Sequence, residues 1–150
     1  MLCVAALIVF IVVMLISRAG GTTKSIDELT KPVVKIQTVT EMSKKSTAAS
    51  IKAFDLDSTK IDSIAYYKND NIMDVSEVLI IKFSDENYSE DAEKAVEKHI
   101  EEQKNLFKNY APDQYALLED SILKTRSNTL FYCTSKDADK IYDAFKSALK

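Results

Sequence analysis

The side chains that could perform chemistry in this chain are few. Its 150 residues include one histidine, His99, and two cysteines, Cys3 and Cys133. A hydrolytic site needs a nucleophile, a base and a group that orients the base. His99 lies on the apolar edge of a helical pattern, which is typical of a packed helix histidine, and Cys133 lies inside an apolar run, as a small core residue would. The sequence therefore predicts no catalytic residue.

Metal and cofactor chemistry also lacks a motif. The patterns HExxH, CxxC, DxDxDG and GxxxxGK[ST], which would indicate zinc, calcium or phosphate binding, do not occur. The two glycines, Gly20 and Gly21, are adjacent and precede the folded part of the chain, so a glycine-rich phosphate loop is not expected. Acidic residues cluster between Asp85 and Glu93, where they favour a solvated helix start. We predict no metal and no cofactor.

A short aromatic segment is the best candidate for a partner site. Aromatic rings beside amide groups suit peptide or glycan ligands, and such residues occur between positions 110 and 115. The alternative, which the pattern favours, is a structural turn whose tyrosines pack on the sheet and whose proline ends a helix. The candidate partner-binding residues are Glu77, Tyr110, Pro112, Gln114 and Tyr115.

Composition excludes two further classes of protein. The 20 basic and 23 acidic side chains give a net charge of −3, which provides solubility without a dominant field. A basic block with interleaved aromatic residues is missing, so nucleic acid is not an expected partner. Cys3 and Cys133 are not expected to pair, and the chain has no disulfide framework.

The first residues predict membrane targeting. The run from Leu2 to Ile16 has no charged residue, and Arg18 follows it. As a helix the sixteen residues from Leu2 to Ser17 are roughly 24 Å long, slightly short of a bilayer core of about 30 Å. We predict an anchor or signal segment at 1–18, a linker at 19–24 and a single α+β domain at 25–150. An uncleaved transmembrane anchor is favoured over a cleaved signal peptide, which would have a basic start.

The rest of the chain predicts two β-β-α units. Alternating and β-branched runs indicate strands at 61–68 and 75–83, joined by a turn at 69–71, and again at 121–125 and 129–134, joined at 127–128. Amphipathic periodicity indicates helices at 89–109 and 138–149. The predicted fold class is α+β: an N-terminal transmembrane helix followed by a four-stranded antiparallel sheet with helices mainly on one face. The strand order is left open.

Four segments resemble one uncharacterised bacterial family, domain of unknown function 4358. Residues 110–115 read YAPDQY after EKHIEEQK at 97–104, which resembles the family's helix running into Y-x-P-D-Q-Y. The closing TSKDADKIYDAF at 134–145 is similar to the family's ending. FDLD at 54–57 and EVLI at 77–80 resemble two further family motifs. The resemblance covers roughly residues 45 to 150.

The chain departs from the family pattern at three positions. His99 stands where the family often has arginine, and Asp55 and Ser127 stand where it often has glycine, which predicts turns with left-handed geometry. The resemblance implies a secreted or lipid-anchored protein of Gram-positive bacteria with its domain outside the cytoplasm, and it implies no known activity. The basic residues Arg18 and Lys24 after the apolar run argue for the opposite orientation.

Two functions remain open from the sequence. The first is a membrane-tethered extracytoplasmic module without enzymatic activity that binds a protein, peptide or glycan partner, located at the cell membrane. The second is an enzyme with a carboxylate-based site that the sequence does not reveal. A pocket that gathers two or more carboxylates would favour the enzyme, whereas an exposed apolar patch or an unpaired strand edge would favour the binding module.

Overall fold

The structure is a computed structural model that describes residues 21–150. The predicted membrane segment at 1–18 lies outside the described residues. The strands are β1 (Ser43–Lys44), β2 (Ile61–Lys68), β3 (Glu77–Phe83), β4 (Ile122–Arg126) and β5 (Thr129–Thr134). The α-helices are α1 (Ile26–Thr30), α2 (Gln37–Thr40), α3 (Thr47–Phe54), α4 (Ser89–Phe107), α5 (Pro112–Glu119) and α6 (Ala138–Leu149). Short 3₁₀ turns occupy Val33–Lys35, Ser58–Lys60 and Glu86–Tyr88.

All strands form one antiparallel sheet with the order β1-β2-β3-β5-β4. The two predicted hairpins, β2–β3 and β4–β5, are both present. β5 is the strand of the second hairpin that joins β3, because all six of its side chains are buried whereas those of β4 are partly exposed. A fully buried strand is stable only between two neighbours and two covered faces.

Two parts of the predicted fold were wrong, the number of strands and the distribution of the helices. The sheet has five strands rather than four, because Ser43 and Lys44 pair with Lys68 and Tyr67 at the outer edge of β2. Helices cover both faces of the sheet rather than mainly one. In residues 21–150 no helix is both long enough and apolar enough to cross a membrane.

The two faces of the sheet carry separate apolar cores. On one face α1, the 3₁₀ turn after Pro32 and α6 pack on β3 and β5; large members of this core are Leu29, Val33, Ile80, Phe131 and Phe145. On the other face α3 and α4 pack on the same strands; large members of this core are Phe54, Leu79, Val96, Ile100 and Tyr132. Both faces need cover because β3 is apolar on both sides along most of its length.

A third, smaller core joins the α4–α5 corner to the loop before β3. Val75, Phe107 and Leu118 are its buried members. Pro112 is the first residue of α5, where its missing N–H costs nothing. This small core holds the segment 110–115 next to the β2–β3 connection, and it therefore determines what the candidate partner residues can reach.

The first helix begins with a local signal that the sequence carries. Ser25 and Glu28 have the Ser-x-x-Glu spacing of a capping box, and in the structure Ser25 Oγ accepts from the Glu28 amide at 3.2 Å while the Ser25 amide donates to Glu28 Oε2 at 2.8 Å. The preceding residues pack on the domain as well. The Thr22 amide donates to Asn128 Oδ1 at 2.9 Å, and Lys24 Nζ donates to the Ala148 carbonyl at 2.6 Å. The domain thus includes at least part of the predicted linker.

Left-handed turns were also confirmed. Asp55 has φ 53° and Ser127 has φ 47°, the region in which a β-carbon is strained. We expect Ser127→Gly to raise the free energy of unfolding by up to about 1 kcal/mol, since the relief of strain exceeds the added freedom of the unfolded chain. Denaturant titration measures the change. Ser147→Gly, in the exposed last turns of α6, is the matched control and should destabilise; a Ser127→Gly variant no more stable than the native chain would contradict the prediction.

Candidate functional site

The most unusual feature of the domain is a glutamate inside its core. Glu77 is the first residue of β3, and side-chain alternation places it on the same face as Leu79 and Ile81. Its register partners are Lys68 in β2 and Thr134 in β5. Glu77 is only 1% exposed. A carboxylate at such a position is stable only if its oxygens are hydrogen-bonded.

Three donors surround the Glu77 carboxylate. Tyr66 Oη donates to Oε2 at 2.6 Å, and Tyr132 Oη donates to Oε1 at 2.8 Å. His99 Nε2 lies 2.7 Å from Oε1. We call Glu77, Tyr66, Tyr132 and His99 the Glu77 cluster. An ionised carboxylate can only accept hydrogen bonds. For Glu77 to accept from Tyr66, Tyr132 and His99 together, His99 must therefore carry a proton on Nε2.

The electrostatics agree with an ionised glutamate. Burial alone would raise the pKa of Glu77, but the hydrogen bond and charge of His99, the hydrogen bond from Tyr66 and the charge of Lys68 together hold that pKa below its ordinary value. Burial, followed by the negative charge of Glu77, raises the pKa of both Tyr66 and Tyr132. Both tyrosines therefore stay protonated and remain donors to the carboxylate.

The hydrogen bonds continue away from the cluster toward the α5–β4 connection. Tyr132 Oη lies 2.8 Å from Thr134 Oγ1, which in turn lies 2.7 Å from Ser121 Oγ. Ser121 Oγ also bonds to the Leu118 carbonyl at 2.7 Å. This chain of hydroxyls fixes the start of β4 relative to the centre of the sheet. In residues 21–150 every fully buried side-chain nitrogen and oxygen has a hydrogen-bond partner.

The Glu77–His99 pair resembles the orienting group and base of a hydrolytic site, but its surroundings favour a structural role. The Phe54 ring of α3 covers the imidazole, with ring centres 4.4 Å apart, and the His99 side chain is only 9% exposed. A general base must come within hydrogen-bond distance of the reacting proton. The cluster instead attaches α4 to the sheet through β2, β3 and β5.

The predicted partner-binding residues do not meet in one cleft, because Glu77 is buried. Tyr110 is 57% exposed and stacks on Phe107, with ring centres 5.4 Å apart. Gln114 Oε1 accepts a hydrogen bond from the Val75 amide at 2.9 Å and so ties α5 to the loop before β3. Pro112 begins α5, as a helix-starting proline does, and Tyr115 is partly exposed on the same helix.

The sequence interpretation missed the Glu77 cluster. It assigned His99 to a packed helix face, which is where the residue lies, without its hydrogen-bond partner Glu77. The available signal was a charged residue at the start of a strand that is otherwise apolar except for Lys82, with tyrosines in the neighbouring strands. Cys133 is fully buried, and burial followed by the charges of Glu77 and Asp137 raises the pKa of its thiol. This agrees with a core residue rather than a nucleophile.

A surface groove lies between α4, α5 and β4. Three carboxylates and one ammonium group border it, from Glu97, Glu101, Glu119 and Lys104. Its apolar part is formed by Ile100, Leu118 and Leu123, and Ser121 lies at one end. The acidic groups are exposed to solvent. Within residues 21–150 no three His, Cys, Asp or Glu side chains are arranged to hold a metal ion.

The fold and the buried cluster define an α+β domain with a two-sided core and a hydrogen-bonded carboxylate at its centre. The model of one family, Domain of unknown function (DUF4358), matches residues 37–135, and the chain belongs to this family. The predicted family is therefore confirmed. The matched range includes every member of the Glu77 cluster and the segment 110–115, while α6 lies beyond it. No curated protein and no solved structure matches the chain.

Proposed function

We propose that the domain is a non-enzymatic module that binds a protein partner through one apolar surface. The observation that carries this proposal is the exposure of Ile72, Met73, Leu106 and Tyr110, which we call the Tyr110 surface. Ile72 is 86% exposed and Leu106 is 60% exposed. Exposed aliphatic side chains of this size that are grouped rather than scattered are typical of a binding surface.

The small third core connects the two chain segments that carry these four side chains. Ile72 and Met73 lie in the loop that leads to buried Val75, while Leu106 and Tyr110 flank buried Phe107. Val75 and Phe107 belong to the same core. The four exposed residues therefore belong to two segments that this core holds together, which supports a shared surface.

The chemistry of the Tyr110 surface favours a protein over a glycan. Glycan sites combine aromatic rings with polar groups, whereas three of these four side chains are aliphatic or thioether groups that offer no hydrogen bond. Tyrosine is frequent among the residues that contribute most to protein interfaces. We further propose that the domain acts outside the cytoplasm at the cell membrane, which is supported by the apolar run from Leu2 to Ile16 and by the family resemblance.

Site-specific cross-linking tests the proposed surface. With a photoreactive amino acid at position 72 or 110 of the full chain in its own cells, we expect the same discrete protein adduct from both positions. The same probe at Ser147, in α6, is the control and should not form it. Leu106→Ser should abolish the adduct without lowering the midpoint of unfolding, because the side chain is exposed. The proposal would be contradicted if the probe formed the same adduct at positions 72, 110 and 147. It would also be contradicted if the adduct persisted in the Leu106→Ser variant.

The second candidate, an enzyme with a carboxylate-based site, is supported by the groove of Glu97, Glu101 and Glu119. Acid–base chemistry by two carboxylates requires environments that separate their pKa values, which usually means burial of one of them. All three groove glutamates are exposed, so the geometry supports this candidate less well than the binding module.

A further inference from the structure

A different surface, the outer edge of β4, offers a second kind of contact. β4 is the last strand in the order β1-β2-β3-β5-β4. Within residues 21–150 no strand pairs with its outer side. An unpaired edge presents backbone donors and acceptors that can accept a strand from another chain. The edge is independent of the Tyr110 surface, so an inference about it goes beyond the function proposed above.

The direction of the β4 backbone groups follows from one hydrogen bond. The Phe83 amide donates to the Asn128 carbonyl at 2.8 Å, so Asn128 points its backbone toward β3. Backbone direction alternates along a strand, and Thr129 therefore points toward β4, where its register partner is Arg126. By the same alternation Leu123 and Thr125 direct their N–H and C=O groups outward. The edge thus offers two residues, with four backbone groups, to an added strand.

The groove described above lies beside this edge and selects the charge of the added strand. Leu123 forms part of its wall, together with Ile100 and Leu118. Three carboxylates against one ammonium leave the groove negative. Farther along the same face, Thr125 Oγ1 donates to Glu93 Oε2 at 3.1 Å, which adds another carboxylate. Lysine or arginine side chains fit such a site, because their stems pack on apolar surface while their charged ends reach the acidic rim.

The opposite face of the edge has the reverse charge. Lys124 and Arg126 alternate with Leu123 and Thr125 and so project toward the other side of the sheet, and both are exposed. Two copies of the chain paired edge to edge would bring these cations together, which disfavours a second copy as the added strand. A suitable segment instead has basic residues at every second position and neutral or acidic residues between them.

From these observations we propose that the edge of β4 binds an extended, basic segment of a partner protein as a sixth strand of the sheet. The outward groups of Leu123 and Thr125 provide the backbone hydrogen bonds, as in other cases of strand addition. The groove glutamates provide selectivity for basic side chains on the α4 face. The occupant is a peptide segment rather than a small molecule, because the donors and acceptors repeat along the strand.

The test uses the full chain, kept in solution with a mild non-ionic detergent, and a fluorescent peptide of about ten residues that alternates lysine and threonine. We expect this peptide to bind at least about tenfold more tightly than a peptide that alternates glutamate and threonine, as measured by fluorescence anisotropy. Glu97→Lys with Glu119→Lys should remove the preference, whereas Glu41→Lys, on α2's C-terminal side, should not. If Glu41→Lys weakened peptide binding as much as the double substitution does, the peptide would be attracted unspecifically to an acidic protein. That result would overturn the proposal.

Backbone measurements separate strand addition from simple charge attraction. Thr125→Pro removes an outward N–H without interrupting the β4–β5 hydrogen bonds, a position at which proline is tolerated, and it should weaken binding about tenfold. Should that variant unfold, hydrogen exchange of the native chain gives the same answer. The Leu123 and Thr125 amides should exchange more slowly with bound lysine–threonine peptide, and unchanged exchange there would overturn the proposal. Leu106→Ser should leave this binding unchanged, which distinguishes it from the Tyr110 surface.

Discussion

Glu77→Ala is expected to lower the free energy of unfolding by about 3–5 kcal/mol, the largest effect of any single polar substitution in the domain. The substitution leaves the hydroxyls of Tyr66 and Tyr132 and the Nε2 of His99 without their acceptor in a site closed to water. Denaturant titration of the purified chain measures the loss. Glu90→Ala is the control, because Glu90 is exposed in the first turn of α4 and pairs with exposed Lys94, and it should lower the free energy of unfolding by only a small fraction of the Glu77→Ala loss.

The pH dependence of stability provides an independent check on Glu77. Its folded-state pKa is lowered from the ordinary value of 4.5. The glutamate therefore contributes its full stabilisation above that value, and the contribution is lost as the pH falls through the lowered folded-state pKa. We expect the native chain to lose more stability than Glu77→Gln over this acidic range. Parallel curves for the two proteins would mean that Glu77 is not held in its ionised form.

The second large effect concerns His99, the partner of Glu77 on α4. His99→Leu should cost about 2–3 kcal/mol, because it removes a donor from a buried carboxylate and leaves the other donors to hold the charge. His99→Arg should retain most of the stability, since a guanidinium also donates hydrogen bonds to a carboxylate.

A double substitution shows whether the two residues act as a pair. Glu77→Leu together with His99→Leu should cost clearly less than the sum of Glu77→Leu and His99→Leu measured separately, because the double variant removes the buried charge and its partner at once. The control combines Glu77→Leu with Lys104→Leu instead of His99→Leu. The losses in the free energy of unfolding of these two single variants should add up in the double variant. Additive costs for the Glu77–His99 pair would show that their contact contributes nothing of its own.

Local sequence was sufficient to determine several features of this protein. The β-branched and apolar residues of β3 and β5 indicated buried strands. The turn residues at 69–71 and at 127–128 indicated two hairpins. The spacing of apolar residues in α4 and α6 indicated amphipathic helices. Ser25 and Glu28 indicated the start of α1, and the residues 110–115 indicated the family. Each of these signals acts between residues that are neighbours along the chain.

Sheet composition needed information that is not local. β1 has two residues, too few for any periodic pattern, and it exists because the outer edge of β2 is available to pair with it. Helices on both faces follow from the number of buried positions in β3 and β5, which only the assembled sheet makes plain. The order of the second hairpin was decided by burial, since β5 is covered on both faces and β4 is not.

The Glu77 cluster is the clearest case of a feature that only tertiary structure decided. Its contacts to Glu77 join residues that are 11, 22 and 55 positions apart in the chain. Sequence alone presented a strand glutamate, a helix histidine and two strand tyrosines, each with an ordinary interpretation of its own. A buried charge is tolerated where donors from several elements reach it together. The sequence determined the elements that carry these donors, and the packing of α4 on the sheet brought them to one carboxylate.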